Sequence, residues 1–492
     1  MVAQHKWTIS ALSLVISTLA IAESDQQKIS ERLNDQRIQT ETTVTYPKQQ
    51  VQLKQPKRQQ DQAQQTRVSM SKEELVKHPD LVVRALLPAV MQGNMDNVAL
   101  LYPIYQHIPS SYQDPLLSQW AEAILAKKDQ QYSKAIRLYR QLLAEKSDIL
   151  PARLQLAVSL FENNELEAAE DQFKKLRAEQ LVPEVNHIIE QYLGAIHHRD
   201  RWTFDGGLTY LYDPNINNAP KFSKIGTTEG FWQAPKSESA QGIGFNFDIG
   251  KKWSWGNGFF NELRLGTNGK YYWNNKKYNE LSARGSLGIG YQNARLTLAL
   301  LPFMEQTLYA SGSSGSETLK RFSKVGGATL ETNYWLSPKW QFNANYEYGE
   351  QRYTSRKHLN GNYHFISTGL VYLANAKQYF FSNINYNRTA TRDKDDSFLR
   401  RGITLGWGQE WGKGLSTRLS VSFAQKHYKA PMALNITLRH KEHGAQASIW
   451  HRAVHFWGIT PRLTYNFTKT KSNHPFYTYD KHRVFVDFSK QF

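Results

Sequence analysis

Cysteine is missing from all 492 residues of the chain. Its absence excludes a disulfide framework, a thiol nucleophile and a lipid-bearing cysteine behind a leader. Long apolar runs are missing too: past the N-terminus nothing approaches the ~20 residues that a helix needs to cross a bilayer. Acidic residues run short, 43 against 61 basic ones, for a net charge of +18. The surplus is dispersed rather than gathered in a stripe, which argues against nucleic acid. It suits a basic lumen and basic loops beside anionic outer-leaflet lipid, or an acidic passenger. Neither a Gly-rich phosphate loop nor a nucleophile elbow is present. His440, His443, His451 and His455 fall close together, but His451-x-x-x-His455 suits zinc only on a helix, and here it falls on a strand end and turn. No catalytic residue, metal site or cofactor is expected.

What the chain has instead, from Trp202 to Phe492, is two-residue alternation repeated many times. Trp202, Phe204, Leu208, Tyr210 and Tyr212 share one parity, while Thr203, Asp205, Gly207 and Thr209 take the other. A helix would scatter these residues around its axis; a strand sends them to opposite faces. The pattern returns in Ile243–Ile249, Leu281–Tyr291, Trp340–Tyr348, Leu415–Phe423 and Ile459–Phe467, always against Asn, Ser, Thr, Gly, Arg or Glu. A soluble sandwich also alternates, but here the connections alternate as well. Short turns fall near Gly256–Gly258, Gln292–Ala294, Ser337–Lys339, Asn375–Lys377, Gly412–Gly414 and Ala453–Phe456. Long polar segments lie between them: Asp213–Ala240, Asn268–Lys277, Ser311–Leu319, Thr354–Asn360, Thr391–Ser397, Lys429–His440 and Lys471–Lys481. Short turns on one rim and long loops on the other predict a transmembrane antiparallel β-barrel of about fourteen strands over residues 199–492. Trp253, Trp255, Tyr271–Trp273, Trp335, Trp340, Trp407 and Trp411 cluster near strand ends, as interfacial girdles do. Lumenal carboxylates such as Asp248, Glu262, Glu280 and Glu347 read as wet interior balanced by Arg264 and Arg284. The last strand closes on Phe488 and Phe492, which resembles the terminal signal by which bacterial barrels are recognised for insertion.

Upstream, residues 1–22 read as a secretory signal peptide: His5 and Lys6, an apolar core over Trp7–Leu19, and Ala20-Ile21-Ala22 as a small-x-small cleavage pattern. Residues 23–70 form a Gln-rich tract with too few apolar side chains to offset ordering entropy, and read as a disordered tether. Over 71–198 the apolar period becomes helical and the block recurs about every 34 residues. Leu86, Trp120 and Leu154 align, as do Ala89, Ala123 and Ala157, then Leu101, Ala135 and Ala169, and Tyr105, Tyr139 and Phe173. The pattern resembles tetratricopeptide repeats, about three copies with Glu184–Ile196 as a closing helix. Such repeats stack into a curved solenoid whose concave face binds protein. Trp120, Tyr132, Tyr139 and Phe173 are the candidate protein-binding residues of this domain, which is expected on the periplasmic side beneath the short-turn rim.

Directly after the first strand stands Tyr212-Asp213-Pro214-Asn215-Ile216-Asn217-Asn218-Ala219-Pro220. Its Asp-x-Asn-x-Asn start mimics a calcium loop, but Asn218 replaces the turn Gly and Lys224 stands where a bidentate Glu belongs. Side-chain bonds to its own backbone would hold it as a shaped turn instead. This motif, the strand count and the upstream repeats together resemble the surface lipoprotein assembly modulator (Slam) family, outer-membrane translocators of the type XI secretion class. The resemblance covers Lys72 to Phe492 and implies export of a client, a surface lipoprotein or a related soluble haem- or metal-scavenging protein. Asp213, Asn215, Asn217 and Asn218 carry the family motif. It further implies outer-membrane lipid, the barrel assembly machinery and periplasmic chaperones as partners, and no nucleic acid. A polysaccharide exporter, which also joins helical repeats to a barrel, is the alternative.

Overall fold

The structure, a computed structural model, describes residues 71–492 apart from 180, 201, 222–223, 228–229, 311–315, 338, 376, 433–434, 452, 455–459 and 492. The expected leader, the Gln-rich tract, His455 and Phe492 lie outside the described residues.

The described residues open with helices α1 (Lys72–Val76), α2 (Pro79–Met91), α3 (Met95–Tyr105), α4 (Pro115–Lys128), α5 (Tyr132–Glu145), α6 (Leu150–Glu162), α7 (Leu166–Arg177) and α8 (Pro183–Arg199). Local chemistry marks several starts. Ser71 and Glu74 form a reciprocal capping box on α1. Asn94 caps α3, and Asp114 caps α4 ahead of Pro115. Pairs α2/α3, α4/α5 and α6/α7 stack around a core of Leu86, Ala123, Tyr139, Ala157 and Phe173, with Ile189 and Leu193 of α8 closing it.

The repeat spacing departs from expectation at one place. The second helices α5 and α7 begin at Tyr132 and Leu166, 34 residues apart, but α3 begins at Met95, 37 before Tyr132. The true equivalents of Ala135, Tyr139 and Leu142 are therefore Val98, Tyr102 and Tyr105, all buried. A three-residue slip is nearly one helical turn and returns apolar residues to the same face, so the pattern alone could not fix the register. The extra length lies after α3, where a 3₁₀ turn at Ser110–Tyr112 precedes α4.

Fourteen strands then close a barrel as a simple meander. They are β1 (Thr203–Asp213), β4 (Ala240–Gly256), β5 (Phe259–Tyr272), β6 (Glu280–Gln292), β7 (Leu296–Tyr309), β8 (Lys320–Ser337), β9 (Trp340–Tyr353), β10 (Gly361–Asn375), β11 (Gln378–Thr391), β12 (Phe398–Glu410), β13 (Leu415–Tyr428), β14 (Arg439–His451), β15 (Arg462–Ser472) and β16 (Tyr479–Gln491). A small hairpin, β2 (Lys224–Thr227) with β3 (Gly230–Gln233), lies within the first long loop. Neighbours pair antiparallel all the way round, and β1 meets β16 to close the wall. The turn between β4 and β5 needs three left-handed residues in a row, which Gly256, Asn257 and Gly258 supply.

The wall is apolar outside and polar within. Leu208, Leu287, Ile289, Ile384, Leu405, Val421 and Leu463 stand exposed on the outer face, while Ser282, Thr329, Asn385, Ser416, Ser448 and Thr464 are buried on the inner one. Trp202, Trp253, Trp340 and Trp411 ring the short-turn rim, with Tyr212, Tyr271 and Trp273 near the long-loop rim. Two strands differ from the sequence reading. β15 starts at Arg462 rather than at Ile459, which lies outside the described residues. β7 is apolar on both faces, burying Ala299, Leu301 and Phe303 inside while Leu298, Leu300 and Met304 face out.

The helical array meets the short-turn rim. Asp200, just past α8, accepts bonds at 2.9 Å from both the backbone N–H and the hydroxyl of Ser254, and its carbonyl accepts from Lys251. Arg295, in the β6–β7 turn, donates to the Asp129 carbonyl at 3.4 Å and to Gln130 at 3.3 Å.

Candidate functional site

The Asp213–Pro220 motif forms a knot that shapes the first long loop. Asp213 Oδ1 accepts the Asn215 N–H at 2.9 Å, an Asx turn. Asn215 clasps Ala219 both ways: its amide donates to the carbonyl at 2.9 Å and its Oδ1 accepts the N–H at 2.8 Å. Asn217 reaches across the loop, donating to the Lys236 carbonyl at 2.7 Å and accepting from the Glu238 N–H at 2.9 Å. Asn218 takes the left-handed conformation at φ 51° and is buried. Ile216 packs on Ala240, Tyr272 and Tyr278 beneath. The Asp213, Asn215 and Asn217 side chains thus bond the loop's own backbone, and Asn218 contributes its left-handed main chain. Among the described residues no group of three or more His, Asp or Glu side chains is placed to hold a metal ion.

The knot is tied outward on two sides. Glu238 Oε2 meets Lys277 Nζ at 2.7 Å and accepts from Asn275, anchoring the loop to the β5–β6 connection. Burial pushes the Glu238 pKa up, but Lys277 and Asn275 outweigh it and hold the carboxyl below its ordinary value. On the other side Asp213 Oδ2 meets Lys481 Nζ of β16 at 3.4 Å, and Lys221 pairs with Asp480. The motif therefore stands over the junction of the first and last strands, which sequence spacing could not reveal because those strands are 278 residues apart at Thr209 and Asp487.

Arginine clamps cross the lumen. Arg264 of β5 grips Glu331 of β8 with two bonds at 2.8 and 3.0 Å and Glu262 with two more. Arg284 of β6 reaches Glu347 of β9 at 2.9 Å and lies 3.5 Å over the Phe303 ring, and Tyr363 of β10 donates to the same Glu347 at 2.7 Å. These two arginines balance lumen carboxylates as expected, whereas Glu280 pairs with Lys270 instead. A cavity of about 660 Å³ lies in the short-turn half, lined by Thr203, Asp205, Asp248, Arg264, Glu331 and Phe365 among others.

The repeat residues proposed to touch a client are placed differently. Tyr139 and Phe173 are fully buried and Trp120 is 5% exposed. Trp120 donates to Gln155 at 2.6 Å, and Phe173 stacks on Tyr192 at 4.9 Å. These rings hold the repeats together and offer no docking surface. The reason is general: a residue that recurs in every repeat is one that packs neighbouring repeats, so periodicity marks the core. Tyr132 alone of the four stays half-exposed, beside Glu162 and near Arg295 of the barrel turn; burial and then Glu162 raise its pKa. In the same array burial and Glu122 push Tyr102 up to about 12. Phe488 is 40% exposed on the lipid face of β16. His440 is buried between the rings of Tyr428 and Tyr477, while His443 faces Phe423.

Residues 202–492 match the family described as Surface lipoprotein assembly modifier, and residues 68–173 match its N-terminal TPR repeats. Surface lipoprotein assembly modifier 1 of Haemophilus influenzae (strain ATCC 51907 / DSM 11121 / KW20 / Rd) is 49% identical over 427 residues, 87% of this chain and 88% of that one. The Surface lipoprotein assembly modifier of Pasteurella multocida (strain Pm70) is 42% identical over 445 residues, 87% and 86% of the two chains. At greater distance, the Hemophilin secretion modulator of Acinetobacter baumannii is 23% identical over 430 residues, 83% and 85% of the two chains. With the barrel, the repeats and their order all matched, the chain belongs to the surface lipoprotein assembly modifier family.

Proposed function

We propose that the protein exports a client protein from the periplasm across the outer membrane, a surface lipoprotein or a secreted haem- or metal-scavenging protein. The observation that carries this reading is the join between the two parts: Asp200 and Arg295 fix a protein-binding type of solenoid at the rim where the lumen cavity lies. A pore for small solutes would have no use for that array. The relatives' names supply the client class, lipoproteins in most and hemophilin in the distant one.

In this scheme the barrel sits in the outer membrane with the array beneath it. Periplasmic chaperones deliver the client, and exposed side chains of the array, not its buried rings, catch it. Anionic outer-leaflet lipid lies beside the basic loops, and the barrel assembly machinery reads the last strand through Phe488 and Phe492. Asp213, Asn215, Asn217 and Asn218 act through the loop they fold. Comparing surface and culture-fluid proteins of a deletion strain with those of the complemented strain tests the reading. Selective loss of one or a few secreted proteins is expected. An unchanged protein profile with loss of exopolysaccharide would sink it.

A further inference from the structure

Among the described residues the closing seam of the barrel has its shortest ladder. Among the described residues β1 and β16 share six rungs, Asp205–Tyr210 against Val486–Gln491, where β4 and β5 share fourteen. The ladder stops at Tyr210↔Val486, although both strands continue toward the long-loop rim. Leu211, Tyr212 and Asp213 stay paired to β4 on their other side, and Val484 and Phe485 stay paired to β15. Main-chain edges thus face each other there without a shared ladder. What spans the gap is side chain and loop: the Asp213–Lys481 ion pair at 3.4 Å, the Lys221–Asp480 pair, and the Lys221 N–H on the Thr478 carbonyl at 3.4 Å.

Two facts fix what such an opening takes. Tyr212 and Val484 are 40% and 48% exposed on the outer face, so the edges lie at the lipid boundary, where lipid offers main-chain groups no partner. Inside the wall, meanwhile, the Arg264–Glu331 and Arg284–Glu347 clamps tie β5 to β8 and β6 to β9. We infer that the upper β1–β16 seam is a strand-accepting lateral opening for an extended segment of the exported client, latched by Asp213–Lys481 and by the loop that the Asp213–Pro220 knot shapes. The inference rests on the export reading and adds its route. The client's backbone adds to the exposed edges by β-augmentation, and breaking the latch exposes more of them.

The absence of native cysteine makes the test clean. Tyr210→Cys with Val486→Cys places a thiol pair on the last rung, and Leu405→Cys with Val421→Cys places a control pair on a rung of β12–β13. The probe is the protein whose surface or medium level the deletion strain loses. With the seam pair oxidised, export should fall to the deletion level and return on reduction, while the oxidised control exports as the unmodified chain does. Normal export through an oxidised seam overturns the inference, and so does equal loss in the oxidised control. A reduced seam pair that exports nothing is checked by a photo-crosslinking residue at Tyr212 or at Leu405 in the otherwise native chain. Client adducts from Tyr212 alone support the seam; adducts from Leu405 alone, or from neither while export proceeds, overturn it. If the native chain restores no protein at all, export itself fails and the seam falls with it.

Discussion

The helical array and the barrel solve opposite problems with the same residue types. In the array Leu86, Tyr139, Leu142 and Phe173 are buried to exclude water, and charged side chains such as Lys174 and Glu170 face out as an i,i+4 pair. In the barrel Leu287, Ile289 and Ile384 face out, and Arg400 and Lys426 are the buried ones, Arg400 on Glu442 at 2.8 Å and Lys426 over the Phe398 ring at 4.0 Å. Hydrophobic burial holds the first together. In the second, lipid removes that drive, and stability passes to the ladders and to lumen polar pairs. A residue's position relative to its solvent, more than its identity, decides what it contributes.

Substitutions can break this contrast in order of size. Phe173→Ala should cost about 3–5 kcal/mol in the array, because it leaves a cavity in a water-facing core. Thermal melts followed by circular dichroism should show the helical transition lowered and the barrel transition unmoved. Ile384→Arg, a lipid-facing site halfway along β11, should cost about 2–4 kcal/mol on insertion into vesicles, while the same change at exposed Leu100 of α3 should be nearly silent. Equal costs at both sites would collapse the comparison. Asn217→Ala orphans the Lys236 carbonyl and the Glu238 N–H, at about 1–3 kcal/mol, and should expose the first long loop to protease on intact cells.

The smallest effect is pH-dependent. The Glu238 carboxyl is depressed in the folded loop, so its contact with Lys277 contributes fully above the ordinary glutamate value of 4.5 and fades as pH falls below it. Loop protection measured by protease should decline over that acid range in the native chain. Glu238→Gln should flatten the decline; a decline unaffected by that change would assign it to another group.

Much of the architecture was legible because its signals are local. Alternation over Leu415–Phe423 needs no knowledge of any other strand, and loop lengths report which rim they join. The Asx geometry of Asp213 and Asn215 is equally local. The first repeat slipped by three residues because apolar positions on a helix nearly superpose at that shift, and Trp120, Tyr139 and Phe173 looked like a binding set when their recurrence meant packing. The apolar inner face of β7 was missed since a strand apolar on both sides carries no alternation to find.

The sequence by itself determined the solvent on each side of the alternating strands and the periodic helices, since period and polarity are properties of a few consecutive residues. It determined the strand number and the Asx turn that opens the first loop on the same ground. Only the tertiary structure decided where the wall closes, that Asp213 meets Lys481 across that closure, and that arginines on β5 and β6 cross to β8 and β9. Those pairings join residues far apart along the chain, and distance in sequence carries no trace of which side chains a closed cylinder brings face to face.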